Sequence, residues 1–205
     1  MLRYTYCGNS IAEKKLRTLI TEIFESHASV SEATLTSLAG PIASTVEAVV
    51  SCFASGRKIM LCGNGGSAAD AQHLAAEFEG RFLRERRPLP AMALSTNSSS
   101  VTAIGNDYGF ERVFARAVEA HGREGDVFIG ITTSGNSPNV IEAAKVARDK
   151  GLTVVGLTGA SGGLFALQTD ILLAVPSEST PRIQEMHILM GHVVCELVEQ
   201  RIVDA

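Results

Sequence analysis

The chain has 205 residues, with 18 basic and 22 acidic side chains and a formal net charge of −4 when histidine is neutral. One domain of ~100–200 residues, or one domain with a helical extension, accounts for that length. A net-acidic chain without a long Lys or Arg block lacks the electrostatic attraction that draws proteins to nucleic acids or anionic membranes. Its apolar runs, such as Val127–Ile131, are also shorter than the ~20 residues of a membrane-spanning helix. We therefore expect no nucleic-acid partner and no membrane association.

The N-terminus and the cysteines indicate the compartment. Residues 1–7 lack the apolar stretch and the small-residue cleavage site of a signal peptide. Four cysteines are widely spaced and form no C-x-x-C pair: Cys7, Cys52, Cys62 and Cys195. We expect them to be buried, reduced thiols, and we predict a cytoplasmic protein.

Two kinds of apolar pattern divide the chain into an N-terminal part and the rest. In the N-terminal part, apolar residues recur at steps of three and four from Ile11 to Phe24, and a second periodic stretch runs from about Ser31 to Phe53. These stretches predict two N-terminal helices over about residues 10–55. The rest alternates short apolar runs with amphipathic stretches, which is typical of βα units and a mainly parallel sheet.

The second part contains five predicted strands, at Lys58–Cys62, Ala91–Leu94, Val127–Ile131, Thr153–Leu157 and Ile171–Val175. Helices are predicted at Ser67–Gly80, Phe110–Ala120, Ser137–Lys150 and from Pro181 to about Val203, with short helical turns near Ser99–Ile104 and Gly163–Gln168. This order predicts one three-layer α/β domain over residues 1–205. Its α/β core lies in about residues 57–205, and the two N-terminal helices are added to it.

Two loops that follow predicted strands have the composition of an anion site. They are built from glycine, asparagine and hydroxyl residues, and each leads directly into a helix: Cys62-Gly63-Asn64-Gly65-Gly66-Ser67 and Thr132-Thr133-Ser134-Gly135-Asn136-Ser137. Ligands of open parallel sheets bind at the carboxyl ends of the strands, and free N–H groups at helix N-termini attract phosphate. The same residues are common in ordinary turns and helix caps. Two such loops at one sheet edge favour phosphate binding.

Nucleotide sites fit this sequence less well. Residues 63–68 formally match the dinucleotide fingerprint G-x-G-x-x-A, but the second strand ends in Leu94-Ser95-Thr96-Asn97, without the acidic residue that binds ribose. Neither loop has the lysine of a Walker A motif. A phosphorylated small molecule is the better interpretation.

Polar residues on the predicted helices could complete the site. His73 and Glu77 are four apart and share a helical face, where they could bind a metal, exchange protons or form a plain ion pair. Asn106 and Asp107 could bind sugar hydroxyls or form a simple turn. On the last helix Gln184, His187 and His192 interrupt an apolar pattern. Gln184 and His192 are ~80° apart on the helical wheel, so they could face one site. For a lone His on such a helix, a buried structural histidine is the default interpretation.

Taken together, Cys62–Ser67, the His73/Glu77 pair, Thr132–Ser137 and Pro181–His187 resemble the sugar isomerase (SIS) domain superfamily and, within it, the phosphoheptose isomerases. The resemblance covers essentially the whole chain and implies a flavodoxin-like SIS fold. It also implies conversion of sedoheptulose 7-phosphate to D-glycero-D-manno-heptose 7-phosphate through an enediol, in the synthesis of ADP-heptose for lipopolysaccharide core or related glycans. One departure is Ser179-Thr180-Pro181, because some members have Asp just before the Arg-Ile-Gln segment.

The resemblance also implies roles for individual residues. Glu77 would be the catalytic base and His192 the acid. The phosphate would contact Ser67, Thr132, Thr133, Ser134 and Ser137, and the sugar would contact Glu77, Asn64, Gly65, Gly66, Asn106, Asp107 and Gln184. One Zn²⁺ per subunit would be held at His73, Glu77, Gln184 and His192, in a homotetramer.

Helix geometry constrains that zinc site. Eight residues of helix rise ~12 Å, whereas zinc ligands lie ~2.0–2.2 Å from the ion. Gln184 and His192 of one chain can therefore hardly bind the same ion, and we expect sites at subunit interfaces, with one of the two residues supplied by a neighbour.

Two alternatives remain open. A sugar-phosphate-binding SIS protein that associates with the replication initiator is similar in these loops but lacks the Glu and the final His, both present here as Glu77 and His192. An isomerase of another sugar phosphate would have similar phosphate loops.

Overall fold

A five-stranded parallel sheet forms the centre of the protein. In the computed structural model, which describes residues 11–204, the strands are β1 (Ile59–Gly63), β2 (Ala91–Ala93), β3 (Val127–Ile131), β4 (Thr153–Thr158) and β5 (Ile171–Ala174). Their spatial order is β2-β1-β3-β4-β5, and every pair is parallel. The predicted strands are confirmed to within one residue at each end. The order reverses between β1 and β3, which places a ligand-binding crevice at the carboxyl ends of these two strands.

Helices cover both faces of the sheet: α1 (Ile11–Ala54), α2 (Gly66–Glu79), α3 (Ser98–Tyr108), α4 (Val113–His121), α5 (Pro138–Asp149) and α6 (Thr180–Val203). Single 3-10 turns occupy Phe110–Arg112 and Leu164–Gln168. The segment predicted as a short turn at Ser99–Ile104 is instead the 11-residue helix α3, whose first turn is capped by the Asn97 side chain accepting from the Ser100 N–H.

The prediction of two N-terminal helices was wrong, because α1 is one helix of 44 residues. Nothing between Phe24 and Ser31 breaks the helix, since that segment has neither Gly nor Pro. Pro41 lies inside α1 and removes one backbone hydrogen bond, at a cost of ~3 kcal/mol. Packing of the second half of α1 offsets this cost, because Val46, Val49 and other residues there are buried in the core.

Two apolar clusters, one on each face of the sheet, confirm the predicted three layers. Ile59 and Leu61 of β1 face a cluster shared with α1, α2 and α6. Met60 and Cys62 alternate with them and face a cluster shared with α4 and α5. Residues of α1 therefore belong to the same core as the sheet.

The first half of α1 has an uncovered apolar stripe, formed by Leu16, Leu19, Ile20, Ile23 and Phe24, which are 47–71% exposed. By length and composition alone, Glu13–Ala54 could also cross a membrane. An 18-residue window of this helix has a mean hydropathy of 1.4, and 33% of that window is buried inside the protein. A core helix with one uncovered face satisfies the same criterion, and the second half of α1 is such a helix. The expectation of no membrane association stays a prediction.

Candidate active site

The β1–α2 loop forms one side of the crevice. Gly63 approaches Ser67 so closely that a Cβ at residue 63 would lie 2.7 Å from the Ser67 carbonyl oxygen. Gly65 has a φ of 55°, a conformation that favours glycine, and it precedes the first residue of α2. Ser67 is 4% exposed, and its hydroxyl has no hydrogen-bond partner among residues 11–204. This hydroxyl is therefore available to a ligand at the N-terminus of α2.

The β3–α5 loop forms the neighbouring side and is braced by its own side chains. The Thr132 and Ser137 hydroxyls are hydrogen-bonded at 2.9 Å, and the Ser134 hydroxyl accepts from the Asn136 N–H at 3.1 Å. Gly135 has a φ of 66°, and a Cβ there would overlap the Gly162 carbonyl oxygen. The loop is thus shaped before any ligand arrives.

A pair of side-chain amides joins the two loops. Asn64 donates to the Asn139 Oδ1 atom and Asn139 donates to the Asn64 Oδ1 atom, both at 2.9 Å. Asn139 lies in the first turn of α5 and is 2% exposed. Sequence reasoning missed Asn139; the signal that could have found it was an amide in the first turn of a helix that follows a candidate phosphate loop.

His73, Glu77 and His192 meet where α2 contacts α6, about two helical turns along α2 from this crevice. The His73 and His192 Nε2 atoms are 2.8 Å apart, so one ring donates to the other, and His73 Nε2 is 3.4 Å from Glu77 Oε1. Asp70, one turn before His73, faces the same group. Burial raises the pKa of its carboxyl, although the charges of His73 and His192 act in the opposite direction. His73, Glu77 and His192 are therefore close enough to exchange protons, and Asp70 feels the charges of both imidazoles.

The structure places the other predicted residues apart from this group. The Gln184 amide lies against the β1–α2 loop, where a Cβ at Gly66 would be 2.6 Å from its Nε2 atom. About two helical turns of α2 separate Gly66 from His73. Asn106 and Asp107 lie on α3, where Asn106 donates to Asp107 at 2.8 Å and no hydrogen bond links them to the rest of the site within the described chain.

His187 is a structural histidine, as the default interpretation expected. It is fully buried, and its Nε2 atom is 3.1 Å from the Thr158 carbonyl oxygen. Burial lowers its pKa to about 4, although the backbone hydrogen bond acts in the opposite direction. Ser179, at the departure from the family pattern, precedes α6 without a side-chain cap.

The donor set at His73, Glu77 and His192 suits zinc chemically, because imidazole nitrogen and carboxylate oxygen are both common zinc ligands. Two nitrogens bound to one tetrahedral zinc stand roughly 3.3 Å apart, somewhat more than the 2.8 Å between the two Nε2 atoms. Within residues 11–204 no three His, Cys, Asp or Glu side chains already have the arrangement of a metal site. A small rotation of the exposed His73 ring would open the required space.

Comparison with known proteins identifies the class to which this fold and crevice belong. A family model described as "SIS domain" matches residues 23–159. A phosphoheptose isomerase from Roseiflexus sp. is 55% identical over 94% of this chain and 97% of its own length. Solved structures of phosphoheptose isomerases from Neisseria gonorrhoeae and Francisella tularensis are also similar. The first has a TM-score of 0.86 and 45% identity over 90% of this chain and 99% of its own. The second has a TM-score of 0.87 and 41% identity over 89% of this chain and 97% of its own.

The chain therefore belongs to the SIS domain family and, within it, to the phosphoheptose isomerases. It is an enzyme of the aldose–ketose isomerase class. The relatives do not favour the two alternatives, a binding protein or an isomerase of another sugar phosphate.

Proposed function

We propose that the protein converts sedoheptulose 7-phosphate to D-glycero-D-manno-heptose 7-phosphate in the biosynthesis of ADP-heptose. The observation that carries this proposal is the meeting of His73, Glu77 and His192 on α2 and α6, about two helical turns along α2 from two hydroxyl-rich loops at one sheet edge. The loops can hold the phosphate, and the three side chains can move protons at the other end of an extended sugar.

Glu77 and His192 are assigned the proton transfers. The Glu77 carboxylate takes the proton from C1 of the ketose and returns a proton to C2 of the enediol. His192 moves a proton between the oxygens on C1 and C2. Each step needs a base and an acid on the reacting atoms, and the contact of His73 with both Glu77 and His192 keeps the two groups within reach of one substrate.

Phosphate recognition is assigned to neutral groups. Ser67, Thr133 and Ser134 present hydroxyls at the ends of β1 and β3, and the N-termini of α2 and α5 add partial positive charge. The internally bonded Thr132 and Ser137 shape the second loop. An anionic substrate is therefore compatible with the net charge of −4. Asn64, Gly65, Gly66, Asn106, Asp107 and Gln184 remain the proposed sugar contacts.

Zinc is the proposed cofactor, with His73, Glu77 and His192 of one chain as ligands. Bound there, zinc would polarise the substrate oxygens. The Gln184 amide of the same chain lies against Gly66, about two helical turns from His73, and so is far from these three ligands. We therefore propose that a neighbouring subunit supplies the fourth ligand. Metal analysis of protein purified without chelator tests this assignment: we expect about one zinc per chain, and a His73→Ala variant that has lost it. Equal zinc in both proteins would contradict it.

A homotetramer is the proposed assembly. The uncovered stripe on α1 gives each chain an apolar surface of the kind that subunit interfaces bury. Light scattering should give four chains per particle, and Ile20→Glu together with Phe24→Glu should reduce that number.

A cytoplasmic location is proposed because Cys52, Cys62 and Cys195 are free, buried thiols, and burial raises the pKa of Cys52 to about 11. Cys7 lies outside the described residues.

An assay of the purified protein tests the reaction. Sedoheptulose 7-phosphate, a pentulose 5-phosphate and a hexulose 6-phosphate are offered in parallel, and aldose formation is measured. We expect kcat/KM to be highest for the heptulose. A higher value for either shorter sugar would contradict the proposed substrate.

A further inference from the structure

The segment that follows α2 has no regular secondary structure, yet one buried carboxylate holds it. Glu199 of α6 is 1% exposed and accepts hydrogen bonds from the backbone N–H groups of Phe82 at 2.8 Å, Leu83 at 2.7 Å and Arg84 at 2.7 Å. Three backbone donors on one carboxylate fix the path of three successive residues. Phe82 is the first of these residues.

Arg86 ties the same segment to the end of α2. Its side chain is 3% exposed, and its Nε atom forms an ion pair with Glu199 at 3.0 Å. Its guanidinium also donates to the carbonyl oxygens of Glu77 at 2.8 Å and Phe78 at 2.9 Å. These carbonyls end α2, where a positive charge is favourable. The ion pair therefore joins the backbone of Glu77 to α6.

Phe82 connects the segment held by Glu199 and Arg86 to the active site. Its ring centroid is 5.5 Å from that of His192, with the planes tilted by 39°. His192 lies two helical turns before Glu199 on the same face of α6. The only other ring paired with His192 in the described part of the chain is that of His73, at 5.1 Å. The orientation of the His192 imidazole thus depends on packing against Phe82.

We propose that Phe82, held by Glu199 and Arg86, is a positioning residue that keeps the His192 imidazole directed towards His73 and Glu77. This inference rests on the proposed role of His192 as an acid. Because the Phe82 ring contacts the site at the His192 ring, its removal should slow the reaction without weakening substrate binding.

Kinetics of Phe82→Ala test this role, with Leu83→Ala as the matched control. Leu83 has the same backbone bond to Glu199, but its side chain is 62% exposed. We expect Phe82→Ala to lower kcat about tenfold with KM within about twofold, as for a group that acts in the transition state. Phe82→Tyr, which keeps the ring, should restore most of the rate, and Leu83→Ala should match the parent protein. A kcat of Phe82→Ala within twofold of the parent would overturn the proposal.

A double-mutant cycle with His192→Asn separates this inference from the proposed function. If Phe82 acts through His192, adding Phe82→Ala to His192→Asn lowers kcat by less than about twofold. A further tenfold loss would show that Phe82 acts independently and would overturn the inference. Full activity of His192→Asn alone would instead contradict the role of His192, and with it any action of Phe82 through that residue.

Discussion

Two clusters of charged or titratable side chains, one between α2 and α6 and one between α6 and the segment that follows α2, differ in exposure and in hydrogen bonding. In the first, His73 and Glu77 are 3.4 Å apart with side chains 48% and 23% exposed. In the second, Arg86 and Glu199 are 3.0 Å apart with side chains 3% and 2% exposed. The first leaves nitrogen and oxygen atoms open to a ligand. In the second, the polar atoms form hydrogen bonds with backbone groups. The first cluster is therefore suited to catalysis, and the second stabilises the structure around it.

Electrostatics show the same division. Burial alone would raise the pKa of the Glu199 carboxyl, but three backbone N–H groups and Arg86 together lower it below its ordinary value. These donors therefore favour the ionised form of Glu199. Glu199 is thus engaged in structural hydrogen bonds, whereas no such set of backbone donors surrounds Glu77 in the described part of the chain.

Glu77→Gln should give the largest effect and should act on activity alone. The amide keeps the shape of the side chain but cannot take a proton, so we expect kcat to fall by about 10³-fold. Thermal unfolding should be nearly unchanged, because Glu77 lies in the open cluster. The matched control is Glu79→Gln, an exposed carboxylate on the same helix. If both variants had the same kcat, Glu77 would not be the base.

Glu199→Ala should reverse that result and act mainly on stability. It leaves Arg86 buried without a counter-ion and three backbone donors without an acceptor, at a cost of about 3–5 kcal/mol in the free energy of unfolding. Glu47→Ala, which breaks an exposed ion pair with Arg201, should cost less than about 1 kcal/mol. Urea denaturation measures both. Equal losses of unfolding free energy in the two variants would mean that burial does not make the Arg86–Glu199 pair more stabilising than an exposed pair.

His187→Gln should give the smallest of the three effects. It tests whether a buried histidine with one unpaired ring nitrogen makes the stability of the protein depend on pH. The buried Nδ1 atom of His187 has no partner in the described chain, and its pKa in the folded protein is about 4, against about 6.5 when unfolded. The unfolded state thus binds the proton first, and stability falls as the pH drops from about 6.5 towards 4. Glutamine keeps a donor for Thr158 and does not titrate.

Between about pH 7.5 and about pH 5 the parent protein should therefore lose about 2 kcal/mol more unfolding free energy than His187→Gln. Urea denaturation at the two pH values gives the difference. Identical pH dependence in the two proteins would show that His187 is not responsible for acid sensitivity.

The sequence predicted the sheet and both loops because their signals are local. Strands such as Val127–Ile131 are short apolar runs between turn residues, and a loop rich in glycine and hydroxyl residues that leads from a strand into a helix is typical of an anion site. The pairing of His73 with Glu77 was also readable, since residues four apart share a helical face.

The parts that sequence reasoning missed depend on contacts between distant residues. Asn64 and Asn139 are 75 positions apart, and Phe82 and Glu199 are 117 apart. No periodicity links such residues. The continuity of α1 was missed for a different reason, because the two apolar stretches were interpreted as separate helices although residues 24–31 contain neither Gly nor Pro.

The amide pair between Asn64 and Asn139 has a consequence for how this sequence can diverge. Each amide completes the other, and Asn139 is too deeply buried for water to replace a lost partner. Substitution of Asn64 alone therefore leaves the buried Asn139 amide unpaired, whereas the exposed Asn64 amide left by a change at residue 139 can bind water instead. Residue 139 should therefore change before residue 64 or together with it, so that a loop and the first turn of a neighbouring helix diverge in a fixed order within a lineage.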